Sequence, residues 1–282
     1  MRRRDFGGPD DLIRMQRAVQ RGWAPGAQWH IGDLAWQWNS GLNSWRVALW
    51  EDGDGEVRAW GRVDGDGHLD FHAEDGLADE VLAWADPLTV TVRDDGPAPL
   101  FRHCVRELDD LETPKLPSGY SVRTVRGEEE AGARAAVHRA AWQPARIGEL
   151  LVPAVALSGE SRVTTERYRD VMGSWPYRTE LDLVVEGPGG DLVAFALGWL
   201  DEVNRVGELE PVGTHPDHAR RGLGAAVSLA CLHAMREAGA TRAVVHPRGD
   251  DAYPVPGRLY RGLGFRPVAG YSTAAASRIK AA

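Results

Sequence analysis

The hydrophobic positions of this chain follow one order of patterns in its C-terminal part and a fainter version of the same order in its N-terminal part. In the C-terminal part, GEEEAGARAAVHRAAW predicts a helix whose acidic first turn suits the positive end of the helix dipole, and a second helix is expected over Thr165 to Met172. TELDLVVEG and DLVAFALGWLDEV are apolar, β-branched-rich runs separated by Gly187, Pro188, Gly189 and Gly190, which together predict a β-hairpin. GELEPVGT reads as the next strand. From Leu223 the apolar positions Ala226, Val227, Ala230, Cys231, Ala234 and Ala238 recur at helical spacing, and Gly239 is placed to end that helix. TRAVVHP then predicts a strand, PGRLYRGLG a short helix and FRPVAGYST a last strand. In the N-terminal part, WRVALWED and GEVRAWGRV predict a hairpin, HLDFHA a strand and GLADEVLAWA a helix, while LTVTVRDDG and PLFRHCVREL stand where TRAVVHPRGDD and PGRLYRGLGF stand later. The expected architecture is α/β, arising from a diverged internal duplication. Pro114, Pro117 and Gly119 of LETPKLPSGY break regular structure, so the boundary is expected near Thr113, giving units 1–113 and 114–282.

Composition narrows what these units do. The net charge is −8 and the only lysines are Lys115 and Lys280, so no basic field exists to hold nucleic acid or an anionic membrane, and a cationic or amine substrate fits better. Cys104 and Cys231 follow no metal-ligand spacing and are too few for a disulfide framework. The opening MRRRDFGGPDD lacks the apolar run of a secretion signal, and the longest apolar stretch, around Ala225 to Met235, falls short of a membrane span. A cytoplasmic protein is expected. Of 11 tryptophans, all but Trp142, Trp175 and Trp199 lie between Trp23 and Trp84, which predicts different cores for the two parts. Trp36, Trp38 and Trp45 are read as core residues, with the wall of a substrate site as the alternative.

The chemistry concentrates in ELEPVGTHPDHARRGLGAA, Glu208 to Ala226. Its second half joins a strand to a helix and puts Gly222 and Gly224 where the helix begins. Backbone N–H groups there lack intrahelical partners and the dipole end is positive, which suits a pyrophosphate. Arg220 and Arg221 can add charge-assisted contacts. A tight turn with solvated arginines is the other reading of this string. GxGxxG is absent, and no early βαβ unit frames the turn, against a dinucleotide site.

This segment resembles the pyrophosphate loop of the GNAT superfamily of N-acetyltransferases, Q/RxxGxG/A after a strand ending VxP, with Gly222 and Gly224 matching its glycines and Thr214 to Pro216 standing at the VxP. Ala219 departs from the usual Gln or Arg; a register starting at Arg221 also fits. LYRGLGF is similar to the family's LYxxxGF, so the resemblance runs from about Pro117 to the C-terminus. It implies two GNAT-like domains, each a mixed, mostly antiparallel twisted sheet flanked by helices, and transfer of an acetyl group from acetyl-CoA to a primary amine of a small molecule by direct attack on the thioester. Antibiotics, amino sugars, polyamines and metabolites are the acceptors in view. The implied coenzyme contacts are Val212, Gly213 and Thr214 along the strand, and Arg220, Arg221, Gly222, Leu223, Gly224 and Ala225 around the pyrophosphate. Tyr260 matches the family's frequent general acid, with a packed core tyrosine as the alternative.

Glu208 and Glu210 alternate onto one face of their strand, and Glu210, nearest the acetyl position, is the candidate base; both glutamates are otherwise structural or bind a cationic substrate. His215 and His218 lie in a solvated turn and His138 and His233 on helices, so no metal is assigned, and these histidines are read as surface or satisfied structural groups. Where the family often carries an Asn after its fifth strand, this chain has PRGDDAYP, with Arg248, Asp250 and Asp251. In the first part the matching turn, HAEDGLADEV, offers Glu74, Asp75 and only Gly76, so this copy is expected to have lost the coenzyme. Three other functions stay open: a non-catalytic acyl-CoA sensor, a protein N-acetyltransferase, and synthesis of a thiol cofactor, since the family includes tandem enzymes that acylate precursors of cysteinyl-sugar thiols. A monomer or a homodimer fits.

Overall fold

The computed structural model describes residues 1–39, 45–65, 67–74, 76–85, 91–92, 102–157, 161–248 and 251–268, with the backbone alone for 91–92. Two sheets organise it. The first begins with β1 (Arg2–Asp5), formed by the basic opening that the sequence pattern left without an element. It continues through α1 (Pro9–Arg21), α2 (Ile31–Asn39), β2 (Arg46–Glu51), β3 (Val57–Val63), β4 (His68–Ala73), α3 (Ala78–Trp84) and β5 (Thr91–Val92). Pro9 at the first helical position and Asp10 and Asp11 in the first turn start α1. The sheet order is β1-β2-β3-β4-β5, antiparallel except for the parallel pair β4/β5.

The second sheet contains β6 (Cys104–Glu107), β7 (Ser121–Thr124), β8 (Asp182–Glu186), β9 (Leu192–Asp201), β10 (Val206–Thr214), β11 (Arg242–Val245) and β12 (Arg266–Pro267), in the order β12-β6-β11-β10-β9-β8-β7. Its helices are α4 (Ala131–Ala141), α5 (Pro144–Leu150), α6 (Thr165–Met172), α7 (Leu223–Glu237) and α8 (Pro254–Gly262). Only β10/β11 pair in parallel. Both sheets therefore run strand, helices, three antiparallel strands, helix, parallel strand, which is the duplication the pattern predicts. The expected helix–helix opening of the second part is preceded by β7 and has α5 inserted in it. The rest of FRPVAGYST from Ala269, all of LTVTVRDDG except Thr91 and Val92, the first three residues of PLFRHCVREL, and Asp75 and Asp250 lie outside the described residues.

The division between the sheets differs from the expected boundary. Cys104–Glu107, placed in the first part and beside a helical segment, is a strand hydrogen-bonded between β11 and β12. The Pro-rich stretch that suggested a boundary packs Leu111, Leu116 and Tyr120 against the second core. Proline and glycine there mark a change of chain direction rather than an edge between units.

α2 ties the first sheet to the second. Trp36 shares a buried cluster with Ala131, Ala135, Tyr168 and Trp199, and a Cβ at Gly32 would stand 2.3 Å from Trp199 Cγ, so only glycine lets the helix lie against that indole. Gln16 Nε2 donates to the Trp175 carbonyl at 2.9 Å, and Gln20 Nε2 to Asp201 Oδ1 at 2.8 Å. Trp38 packs tilted against Phe6 and Trp45 lies under the Arg62 guanidinium, at 4.3 and 4.1 Å, so these rings belong to the packing of the first unit.

Candidate active site

β10 is paired on both sides only at its start. Val206, Gly207 and Glu208 align with Arg242, Ala243 and Val244 of β11; beyond that point β10 continues to Thr214 against β9 alone. A bulge between Leu209 and Val212 shifts the register at Pro211, the residue that cannot donate to a ladder. The two strands thus part at Glu208, leaving one edge of Val212, Gly213 and Thr214 without a β11 partner. This is the expected coenzyme strand. A Cβ at Gly213 would stand 2.4 Å from Phe195 Cζ, so this stretch fits its neighbours only as glycine.

The chain then leads to the start of α7. Gly222 is its N-cap in the left-handed region, φ 80, and no side chain caps the helix, so the amides that follow are free to meet an anion. Leu223 is buried in the core below, Ala225 packs partly against it, and Gly224 lies near Thr214 Oγ1. Arg220, with φ 62, stays exposed. Arg221 Nη1 donates to Tyr120 Oη at 2.9 Å, and that hydroxyl is 3.0 Å from His218 Nδ1. His215 Nδ1 accepts from the Asp217 amide at 3.2 Å. The two loop histidines are thus turn-shaping groups. The first unit repeats only the backbone feature: Gly76 has φ 85 ahead of α3, while Glu74 binds Arg21 and Arg58.

At the fork of β10 and β11 lies a cluster the sequence reading did not assemble. Glu208, 1% exposed, reaches His30 Nδ1 at 3.1 Å and His246 Nδ1 at 3.2 Å. Asp33, on α2, stands 3.5 Å from the same His246 nitrogen and accepts the His30 amide at 2.7 Å. Glu210, partly open, faces Asp33, and its carbonyl accepts from Trp199 Nε1 at 2.6 Å. Glu208 and Glu210 do share a face, toward the first unit. Burial, followed by the charges of Asp33 and Glu208, pushes the Glu210 carboxyl well above its ordinary range. Asp33 moves the opposite way: burial opposes ionisation, but the His246 charge and hydrogen bonds from His246, Glu210 and Glu208 outweigh it. His246 and His30 are raised against the pull of burial, His246 chiefly by Asp33 and Glu208, His30 chiefly by Glu208. Donor atoms of Asp33, Glu208 and His246 all lie within 4.8 Å of one another. We assign no ion to them, because His246 Nδ1 already stands within ion-pair distance of both carboxylates.

Tyr260 of α8 is buried in the second core, and its ring meets Phe265 edge-on at 5.7 Å. Its hydroxyl has no hydrogen-bond partner among the described residues, and burial, then the charges of Glu210, Glu208 and Cys231, raise its pKa. It stands in the core and near the carboxylates at once. His233 is held by the Glu112 carbonyl at 3.0 Å and Arg236 at 3.1 Å. His138 departs from the expected satisfied state: its Nδ1 is buried without a hydrogen-bond partner among Trp36, Trp142 and Phe195, and burial brings its pKa down to about 3. Arg248 lies over the Tyr253 ring at 5.8 Å, and Asp251 is exposed.

Two parallel strands that part at Glu208, followed by a helix start without a side-chain cap, are the features this α/β fold places beside the buried carboxylates. Residues 157–265 match the model of the acetyltransferase (GNAT) family. The chain is 28% identical over 218 residues to the mycothiol acetyltransferase of Saccharomonospora viridis, an alignment covering 68% of this chain and 65% of that relative. Among solved structures, the GCN5-related N-acetyltransferase from Sphaerobacter thermophilus superposes with a TM-score of 0.55 at 17% identity, over 95% of this chain and 92% of that one. A tandem GNAT protein from the clavulanic acid biosynthesis pathway gives 0.54 at 16%, over 94% and 95%. These two likenesses span both sheets and establish the fold.

Proposed function

We propose that the protein moves an acetyl group from acetyl-CoA to a primary amine of a small molecule. The observation that carries this is the fork itself, where the unpaired edge of β10 runs from Glu210 to the uncapped start of α7. The pyrophosphate would meet the amides after Gly222 and the arginines beside it, and the pantetheine arm would lie along Val212, Gly213 and Thr214. The amine nitrogen attacks the thioester carbonyl carbon, the carbon–sulfur bond breaks, Glu210 takes the amine proton and Tyr260 gives its proton to the departing thiolate. A carboxylate raised toward neutrality is a stronger base than an exposed one. A cationic acceptor favours Glu210 ionisation by offsetting the charges of Asp33 and Glu208.

Incubation with acetyl-CoA and a panel of amines, following thiol release, tests this. The name of the curated relative puts mycothiol-related amines in the panel beside amino sugars and polyamines. Turnover on one of them is the expected result. Tight coenzyme binding with no thiol release on any acceptor would instead make the protein an acyl-CoA sensor.

A further inference from the structure

The first unit has Glu74 and a single glycine, Gly76, at the turn that matches the loop, and it places a carboxylate inside the cluster at the fork. Asp33 is 4% exposed, in the first turn of α2. Its position is set from three sides. Its Oδ2 accepts the His30 amide at 2.7 Å, its Oδ1 faces His246 Nδ1 at 3.5 Å, and the neighbouring Gly32 is pressed on Trp199, whose indole N–H holds the Glu210 carbonyl. One contact chain thus links the Asp33 backbone to the Glu210 backbone while their carboxyl groups face each other. Two facing carboxyl groups, one buried and one half-buried, cannot both ionise freely, so they compete for a proton.

We propose that Asp33 is a positioning residue for acetyl transfer, lodged against Glu210 so that it governs when Glu210 can take the acceptor's proton. This rests on the reading of Glu210 as that base. The other groups facing the pair are Glu208 from β10, His30 ahead of α2, His246 after β11 and Tyr260 from α8. Behind them, Asp201 ends β9 beside His30, and the His103 ring lies 4.5 Å from His246. His246 opposes the effect of Asp33 and Glu208 on Glu210, and with it in place removal of the Asp33 charge still lowers the pH at which Glu210 ionises.

The test compares the pH profile of kcat/KM in wild type, Asp33→Asn, Asp33→Glu and Gly32→Ala. Asp33→Asn should move the acid limb down by about 1–3 pH units, and Asp33→Glu should return it toward wild type. Gly32→Ala pushes α2, and Asp33 with it, off Trp199 without removing the charge, so it should lower the rate and move the limb the same way by a smaller amount. An unmoved limb in Asp33→Asn, or a limb that Asp33→Glu fails to return, overturns the proposal. A second readout needs no turnover: infrared difference spectra of the full chain across pH should show a protonated carboxyl band that persists above the ordinary carboxylate range, that Glu210→Gln removes and that titrates at lower pH in Asp33→Asn. Absence of that band from wild type overturns the proposal even where Asp33→Asn fails to fold. Its presence in a protein that acetylates no acceptor would keep the Asp33–Glu210 pair and refute only the acetyl-transfer reading.

Discussion

A carboxyl group enclosed beside two others ionises late, and this gives Glu210 a pH signature. Because its pKa is raised by burial and by Asp33 and Glu208, turnover should climb with pH well past the ordinary carboxylate range. Glu210→Gln should cost about 10²–10⁴-fold in kcat and erase that limb, the scale of a lost general base. Retention of the limb in Glu210→Gln would assign it to another group. Tyr260 carries a separate expectation. Its hydroxyl has no hydrogen-bond partner among the described residues, so Tyr260→Phe removes a proton donor without breaking any hydrogen bond seen there. We expect kcat lower by about 10²-fold or more, with coenzyme affinity from calorimetry and the unfolding temperature both near wild type. An equal loss of stability would instead mark the ring as a packing residue.

At the scale of elements, the anion site proposed at the start of α7 depends on Gly222 holding φ 80. A Cβ there meets no heavy atom within 4 Å, so Gly222→Ala introduces strain without a clash. That strain is about 1–2 kcal/mol. The strained loop should bind acetyl-CoA roughly tenfold more weakly, as read by calorimetry, while the rest of the fold stays intact. Unchanged affinity would show that the turn is not part of the coenzyme site. This turn was legible in the sequence, because a strand, two glycines and a helical period are local patterns. So were α6, the β8/β9 hairpin and the helix ended by Gly239, whose φ is 107. The strand β6 was not legible, because its partners β11 and β12 lie far along the chain and nothing local distinguishes a four-residue strand from a loop. The cluster at the fork escaped for the same reason. Asp33 reads as a helix-start acid and His246 as a strand-end histidine, and only the docking of α2 on β10 brings them together.

The whole molecule is held partly by that docking, which makes its stability depend on pH. His30 and His246 have folded-state pKa values above the ordinary 6.5, so the stability they contribute is fully present below that pH and is lost as pH rises through the folded values. Glu210 adds to the same slope: its folded form keeps a proton that the unfolded chain gives up above 4.5, so folding grows costlier as pH rises from there. Asp33 works in the opposite sense, contributing stability above its ordinary 3.8 that is lost as pH falls through its lowered folded value. The docked form should therefore be most stable on the acid side of neutrality, with an unfolding temperature that declines as pH rises beyond 6.5. Glu208 is the partner common to both histidines, at 3.1 and 3.2 Å. Glu208→Gln should be less stable than wild type below pH 6.5, where the histidines lose their counter-charge, and should show a shallower decline above it. Scanning calorimetry across that range measures both. If the two curves stay parallel, the histidines are not what couples the docking of the two sheets to pH, and the slope belongs to groups elsewhere in the chain.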